Sequence, residues 1–166
     1  LISQATVVSS LSQYALATDA LAFTYHNQTT PSFRNVTLNV SAGERLLITG
    51  SSGCGKSTLA RCLVGLIPHL YNGTLEGQVF LGDWRTDQTP LWQLAERAGM
   101  VLQNTQAQML ASTVENEIAF GLENLGLPRA EIAQRIDENL ERFGLQKYRM
   151  HDPLRLSGGE GQRVML

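Results

Sequence analysis

Gly50-Ser51-Ser52-Gly53-Cys54-Gly55-Lys56-Ser57-Thr58 is the stretch that most limits how this chain can fold. It fits a glycine, four residues of any kind and then Gly-Lys-Ser, the phosphate-cradling loop pattern. Glycine permits tight turns and lets a ligand approach the backbone with no Cβ in the way. The loop N–H groups then form a concave anion site, and the helix expected to begin near Lys56 adds the positive end of its dipole. In such a loop the lysine reaches the β- and γ-phosphates, and the Ser57 hydroxyl is a ligand of Mg²⁺. Gly-rich runs also occur as flexible surface loops, so the flanks decide. Glu44-Arg45-Leu46-Leu47-Ile48-Thr49 predicts a short buried strand feeding the loop. Leu59, Ala60, Leu63, Val64 and Ile67 then repeat at helical spacing as far as Pro68. Strand, loop and helix predict a site for a nucleoside triphosphate, or descent from a chain that had one.

A chain of 166 residues can bury one sizeable core. Its 43% hydrophobic and 17% charged residues exclude a disordered protein. The net charge of -2, with both signs interspersed, offers no basic footprint for nucleic acid. Cys54 and Cys62 are expected to be reduced thiols rather than a disulfide, with Cys54 open to modification beside an electropositive helix start. No apolar stretch is long enough to span a bilayer, and no cleavable leader is visible. The sequence begins without Met and stops within an apolar helical pattern at Leu166, which predicts a piece of a longer protein.

Residues 1–18 are rich in Ser, Thr, Gln and Ala and predict a linker or disordered leader, with a surface helix as the rival. Order is expected from about Ala20. Leu21, Phe23 and Tyr25 alternate with Ala22, Thr24 and His26 as in a half-buried strand, and Val36, Leu38 and Val40 mark a second. These predict an antiparallel layer beside the nucleotide site. Tyr25 fits a core position and adenine stacking equally well. A loop over 69–77, a short strand over Gln78–Gly82 and a short helix after Thr89-Pro90, with Leu91, Leu94 and Ala95 inward, are expected next. Gly99-Met100-Val101-Leu102 predicts a further strand that delivers Gln103 at its end, where ligand contacts gather in α/β sheets. An ordinary loop residue is the plainer account of Gln103.

The chain then becomes helical. Ser112-Thr113-Val114-Glu115 predicts a capping box, with Val114, Ile118, Leu122 and Leu125 on one face. Pro128 opens a second helix bearing Ile132, Ile136, Leu140 and Phe143, with each stripe too short for a coiled coil. In Leu156-Ser157-Gly158-Gly159-Glu160, Ser157 predicts an N-cap and the glycines a second helix start suited to an anion. A simple Ser-Gly turn before a helix is the alternative.

A phosphate loop, a Gln after an apolar strand, a helical section and then Leu-Ser-Gly-Gly follow a specific order. From about Ala20 onward the chain resembles the ATPase subunit of ABC transporters. Gln103-Asn104, the run from Thr113 to Asn124 and Leu125-Gly126-Leu127-Pro128 resemble more narrowly the energy-coupling factor subgroup, whose members import vitamins or transition-metal ions. The resemblance implies an α/β fold: a P-loop NTPase (RecA-like) core with an antiparallel β layer and an inserted helical subdomain, the C-terminal part of the core missing. Residues 19–166 would form an incomplete ATPase domain, with the core over 19–103, the helical subdomain over 104–156 and the signature over 157–166.

ATP and Mg²⁺ are the implied cofactors. Tyr25 falls where the family stacks an aromatic on adenine. Gly50, Ser51, Ser52, Gly53, Cys54, Gly55, Lys56, Ser57 and Thr58 match the Walker A loop, with Ser57 on the metal. Gln103 matches the glutamine that contacts Mg²⁺ and the attacking water, so Lys56 and Gln103 are the candidate catalytic groups. Ser157, Gly158, Gly159 and Glu160 match the signature that closes over ATP held by an opposite subunit. The implied partners are a second ATPase subunit or domain and integral membrane subunits, at the cytoplasmic face of the membrane, with no nucleic acid. Two departures stand out. Glu160 replaces the commoner Gln, and the Walker B Asp, the catalytic Glu and the switch His are not found before Leu166, so the fragment should bind nucleotide and hydrolyse it poorly. Two alternatives remain: a soluble ABC-type ATPase acting on DNA or ribosomes, and a non-catalytic half of a fused pair.

Overall fold

A computed structural model describes residues 13–166. They form two compact units, one running to Met100 and the other from Val101 to Leu166.

The first unit is built on a four-stranded antiparallel sheet. Its strands are β1 (Leu16–Tyr25), β2 (Phe33–Val40), β3 (Gly73–Leu81) and β4 (Trp84–Arg85), in the order β2-β1-β3-β4. β1 starts at Leu16 rather than near Ala20. A bulge explains the longer strand: register shifts on both neighbours bracket Ala20, which sits at a φ of 45°. Ahead of the bulge, Leu16, Ala17 and Thr18 pair with both β2 and β3. The Thr18 hydroxyl donates to the Val36 carbonyl at 2.9 Å and accepts from the Leu38 N–H at 2.9 Å, so its polarity is consumed inside the sheet. β3 likewise begins five residues before the expected Gln78. Gly77, at a φ of 79°, lies against the bulge, where an added Cβ would stand 2.3 Å from the Asp19 carbonyl oxygen.

Between β2 and β3 come α1 (Lys56–Leu63) and the short α2 (Leu66–His69). The expected single helix to Pro68 is thus broken after Leu63, with Gly65 in the left-handed region and Ile67 extended. Leu59, Cys62, Leu63 and Ile67 still reach one core with Leu21, Phe23 and Val79. Burying a side chain such as Phe23 contributes roughly 2–3 kcal/mol, which sets the worth of the alternation in β1. Phe80 and Ala17 form a smaller cluster with Tyr14. After β4 comes α3 (Leu91–Leu94), which buries Leu94, whereas Ala95 is exposed.

Two expected strands are not formed. Residues 44–49 and 99–102 carry no strand, and Leu47 is 83% exposed. A strand exists through its ladder partners, and among the described strands neither segment finds one. Apolar sequence alone does not make a sheet.

The second unit is helical. It contains α4 (Val114–Asn124), α5 (Arg129–Arg142) and α6 (Gly158–Val164), with 3₁₀ turns before α4 and between α5 and α6. Val114, Ala119, Ile136, Leu140, Leu145, Leu156 and Val164 make its core. The N-cap of α4 is Thr113, which accepts from the Asn116 N–H at 3.2 Å. The predicted box between Ser112 and Glu115 is absent because Glu115 is claimed by Arg149, at 2.7 and 3.1 Å. Arg149 also binds Asp137 of α5, at 2.5 Å. These acceptors hold the guanidinium pKa above its usual value. Leu125, expected on the apolar face, lies past the end of α4 and is exposed.

Candidate nucleotide-binding site

The phosphate loop, residues 50–55, ends in a glycine whose backbone and surroundings disfavour any side chain. Gly55 is the N-cap of α1, at a φ of 94°. An added Cβ would lie 2.4 Å from the Ser32 carbonyl oxygen, so the turn between β1 and β2 supports the loop from below. The cap makes no side-chain hydrogen bond, and no acidic residue occupies the first turn. The first N–H groups of α1 therefore keep their full attraction for an anion.

Lys56 folds back over the loop. Its Nζ donates to the carbonyls of Gly50 at 2.8 Å and Ser51 at 2.7 Å, and lies 3.6 Å from the Cys54 Sγ. The ammonium thus sits among the loop's own atoms and can swing onto a phosphate by exchanging carbonyl acceptors for phosphate oxygens. The exposed Ser57, next on the helix, supplies the hydroxyl that would serve Mg²⁺. Among the described residues no cluster of His, Cys, Asp and Glu could hold a metal by itself. The residues present fit a metal carried in with the phosphates. Cys54 is exposed, whereas Cys62 is fully buried and its thiol pKa is pushed up to about 12 by burial. Both are free, as expected.

Tyr25 sits at the end of β1 with its ring edge-on to Phe23, centroids 4.9 Å apart. Its hydroxyl lies 3.3 Å from the Thr58 Oγ1 and accepts from the Arg61 Nη1 at 3.3 Å. It is half-buried and tied to the first turns of α1. Arg61 is the residue that sequence reasoning missed here. Its guanidinium lies over the Tyr71 ring, 4.9 Å from the centroid, and its Nε is buried without a partner among the described residues. Helical spacing sets Arg61 beside Ser57, Thr58 and Val64 rather than on the stripe of Leu59, Cys62 and Leu63, so no pattern in the sequence singles it out.

In the second unit, Gln103 is exposed at the end of the 99–102 segment. Ser157 is the N-cap of α6, in a full capping box with Glu160. The Glu160 Oε2 accepts from the Ser157 N–H at 2.9 Å and its Oγ at 2.6 Å, while Oε1 accepts from the Tyr148 hydroxyl. The Ser157 and Tyr148 hydroxyls, the Ser157 N–H and then the charge of Arg163 hold the carboxyl at about 2. Gly158 and Gly159 are exposed, with nothing within 4 Å of an added Cβ.

The family model for ABC transporters matches residues 33–166. A putative ABC transporter ATP-binding protein of Pyrococcus abyssi is 44% identical over 146 residues, which is 88% of this chain and 52% of that protein. The energy-coupling factor transporter ATP-binding protein EcfA1 of Ligilactobacillus salivarius is 38% identical over 148 residues, 89% of this chain and 51% of that protein. Among solved structures, CbiO1 of Clostridium perfringens, part of the ABC transporter complex CbiONQ, superposes with a TM-score of 0.78 at 28% identity. That match covers 92% of this chain and 59% of CbiO1. A dimeric ATP-binding cassette in a post-hydrolysis state, bound to ADP and Pi, gives a TM-score of 0.74 at 27% identity over 90% of this chain and 66% of that one. The chain spans about half the length of the Pyrococcus and Ligilactobacillus relatives. With a phosphate loop on α1, an antiparallel layer beneath it and a Ser-Gly-Gly helix start in a separate helical unit, the chain belongs to the ABC transporter family and has its P-loop NTPase-type α/β fold.

Proposed function

We propose that the protein is the ATP-binding and ATP-hydrolysing subunit of a membrane importer of the energy-coupling factor type. The observation that carries this reading is the phosphate loop, in which a glycine cap leaves the start of α1 open while Lys56 is poised over it. The loop amides and Lys56 bind the β- and γ-phosphates, Ser57 orients the metal, and Tyr25 stacks on the base. Bound Mg²⁺ supplies charge neutralisation at the phosphates. Gln103 positions water. Ser157, Gly158, Gly159 and Glu160 face the ATP of a second ATPase subunit or domain, so that closure and reopening of the pair drive membrane subunits at the cytoplasmic face. Among the described residues no helix is long and apolar enough to cross a membrane, and in this reading other subunits form the pathway. Nucleic acid has no part in it. Residues 1–166 by themselves bind ATP and leave hydrolysis to groups they do not contain.

Titration with a fluorescent ATP analogue tests the reading. Lys56→Ala should weaken binding by about 10- to 100-fold, the loss expected for a charge-assisted contact. Unchanged affinity in that variant would refute it.

A further inference from the structure

Glu160 places a carboxylate one residue beyond Gly158 and Gly159, where free negative charge would repel a phosphate. Each of its oxygens is engaged. Oε2 takes both donors of Ser157, and Oε1 takes the Tyr148 phenol. The first pair is an ordinary capping box within the helix. The Tyr148 bond is different, because it reaches in from another element, the 3₁₀ turn Gln146–Tyr148. That turn is firmly placed. The Tyr148 carbonyl accepts from the His151 N–H at 2.8 Å. The Arg149 and His151 carbonyls accept from the Glu115 and Val114 N–H groups at 3.0 Å each, and so cap the start of α4.

We propose that Tyr148 is a positioning residue of the signature: its phenol holds the Glu160 carboxylate back on Ser157, leaving the exposed Gly158 and Gly159 amides to an incoming phosphate. This rests on the reading that ATP of a partner docks against 157–160. It explains how an ionised carboxylate at this position is kept off the Gly158 and Gly159 amides. Arg163 on α6 also faces Glu160, and Lys147 and His151 pack on the Tyr148 ring, 4.7 and 5.5 Å from its centroid. All three remain when the phenol alone is removed.

The test compares wild type, Tyr148→Phe, Glu160→Gln and the double variant for ATP-driven association, with the Glu160 carboxyl of the first two followed by ¹³C NMR. Tyr148→Phe should raise the ATP concentration for half-association about five- to ten-fold. In the Glu160→Gln background the same change should cost less than about two-fold, because no charge is released. The Glu160 midpoint should rise in Tyr148→Phe. A midpoint that does not move, or equal losses in both backgrounds, overturns the proposal and leaves the reading of the site intact. Wild-type protein that binds ATP yet never associates overturns that reading, and the proposal with it.

Discussion

The helix starts at Gly55 and Ser157 look alike in sequence, each a small residue among glycines ahead of an amphipathic helix, yet the structure builds them in opposite ways. α1 is capped by a glycine with no side-chain bond, and its first turn holds Lys56 and no acid. α6 is capped by Ser157 and closed by its own Glu160. The first start is open to an anion from outside. The second has satisfied part of its need internally, so any phosphate it meets must find the glycine amides past a restrained carboxylate. Glycine content is therefore a poor guide to affinity, and the charge and capping of the first turn are a better one.

The comparison breaks most sharply at Gly55. Alanine there would adopt a left-handed backbone and press a methyl group 2.4 Å from the Ser32 carbonyl oxygen. Gly55→Ala should lower unfolding stability by about 2–3 kcal/mol and abolish detectable ATP binding. Denaturant melts and an ATP titration measure both losses. Wild-type values in the variant would mean that the loop does not need the geometry described.

Glu160 allows a finer and smaller test. Its folded-state pKa is lowered to about 2, below the ordinary carboxylate value, so its stabilising contribution is present above about pH 4.5 and is lost as pH falls toward 2. The Tm advantage of wild type over Glu160→Gln should shrink as pH is lowered from 6 to 3. A constant or growing advantage would show that the capping box does not hold the carboxylate in its charged form.

The phosphate loop, the helical section and the Ser157 cap were legible because each depends on contacts within a few residues. Gly55 needs its own φ, Ser157 needs an amide three residues on, and the stripes of α4 and α5 need only helical spacing, whereas the α4 cap expected at Ser112 falls at Thr113. What failed depends on distant partners. The polar leader hid Thr18, whose hydroxyl is consumed by Val36 and Leu38, eighteen and twenty residues away. Residues 44–49 and 99–102 have the composition of strands, but pairing decides whether they become so. The break after Leu63 was missed because Val64 and Ile67 continue the apolar rhythm across a left-handed Gly65. Tyr148 was invisible because nothing in its own neighbourhood points to Glu160, twelve residues on.

The most direct test of the contrast between the two helix starts is an amide NMR titration of the monomeric protein with Mg-ATP, at a concentration too dilute for association. The account predicts shifts over residues 50–58, with those of 157–160 unmoved until a partner closes on the nucleotide. Shifts at 157–160 before, or instead of, those at the loop would contradict it.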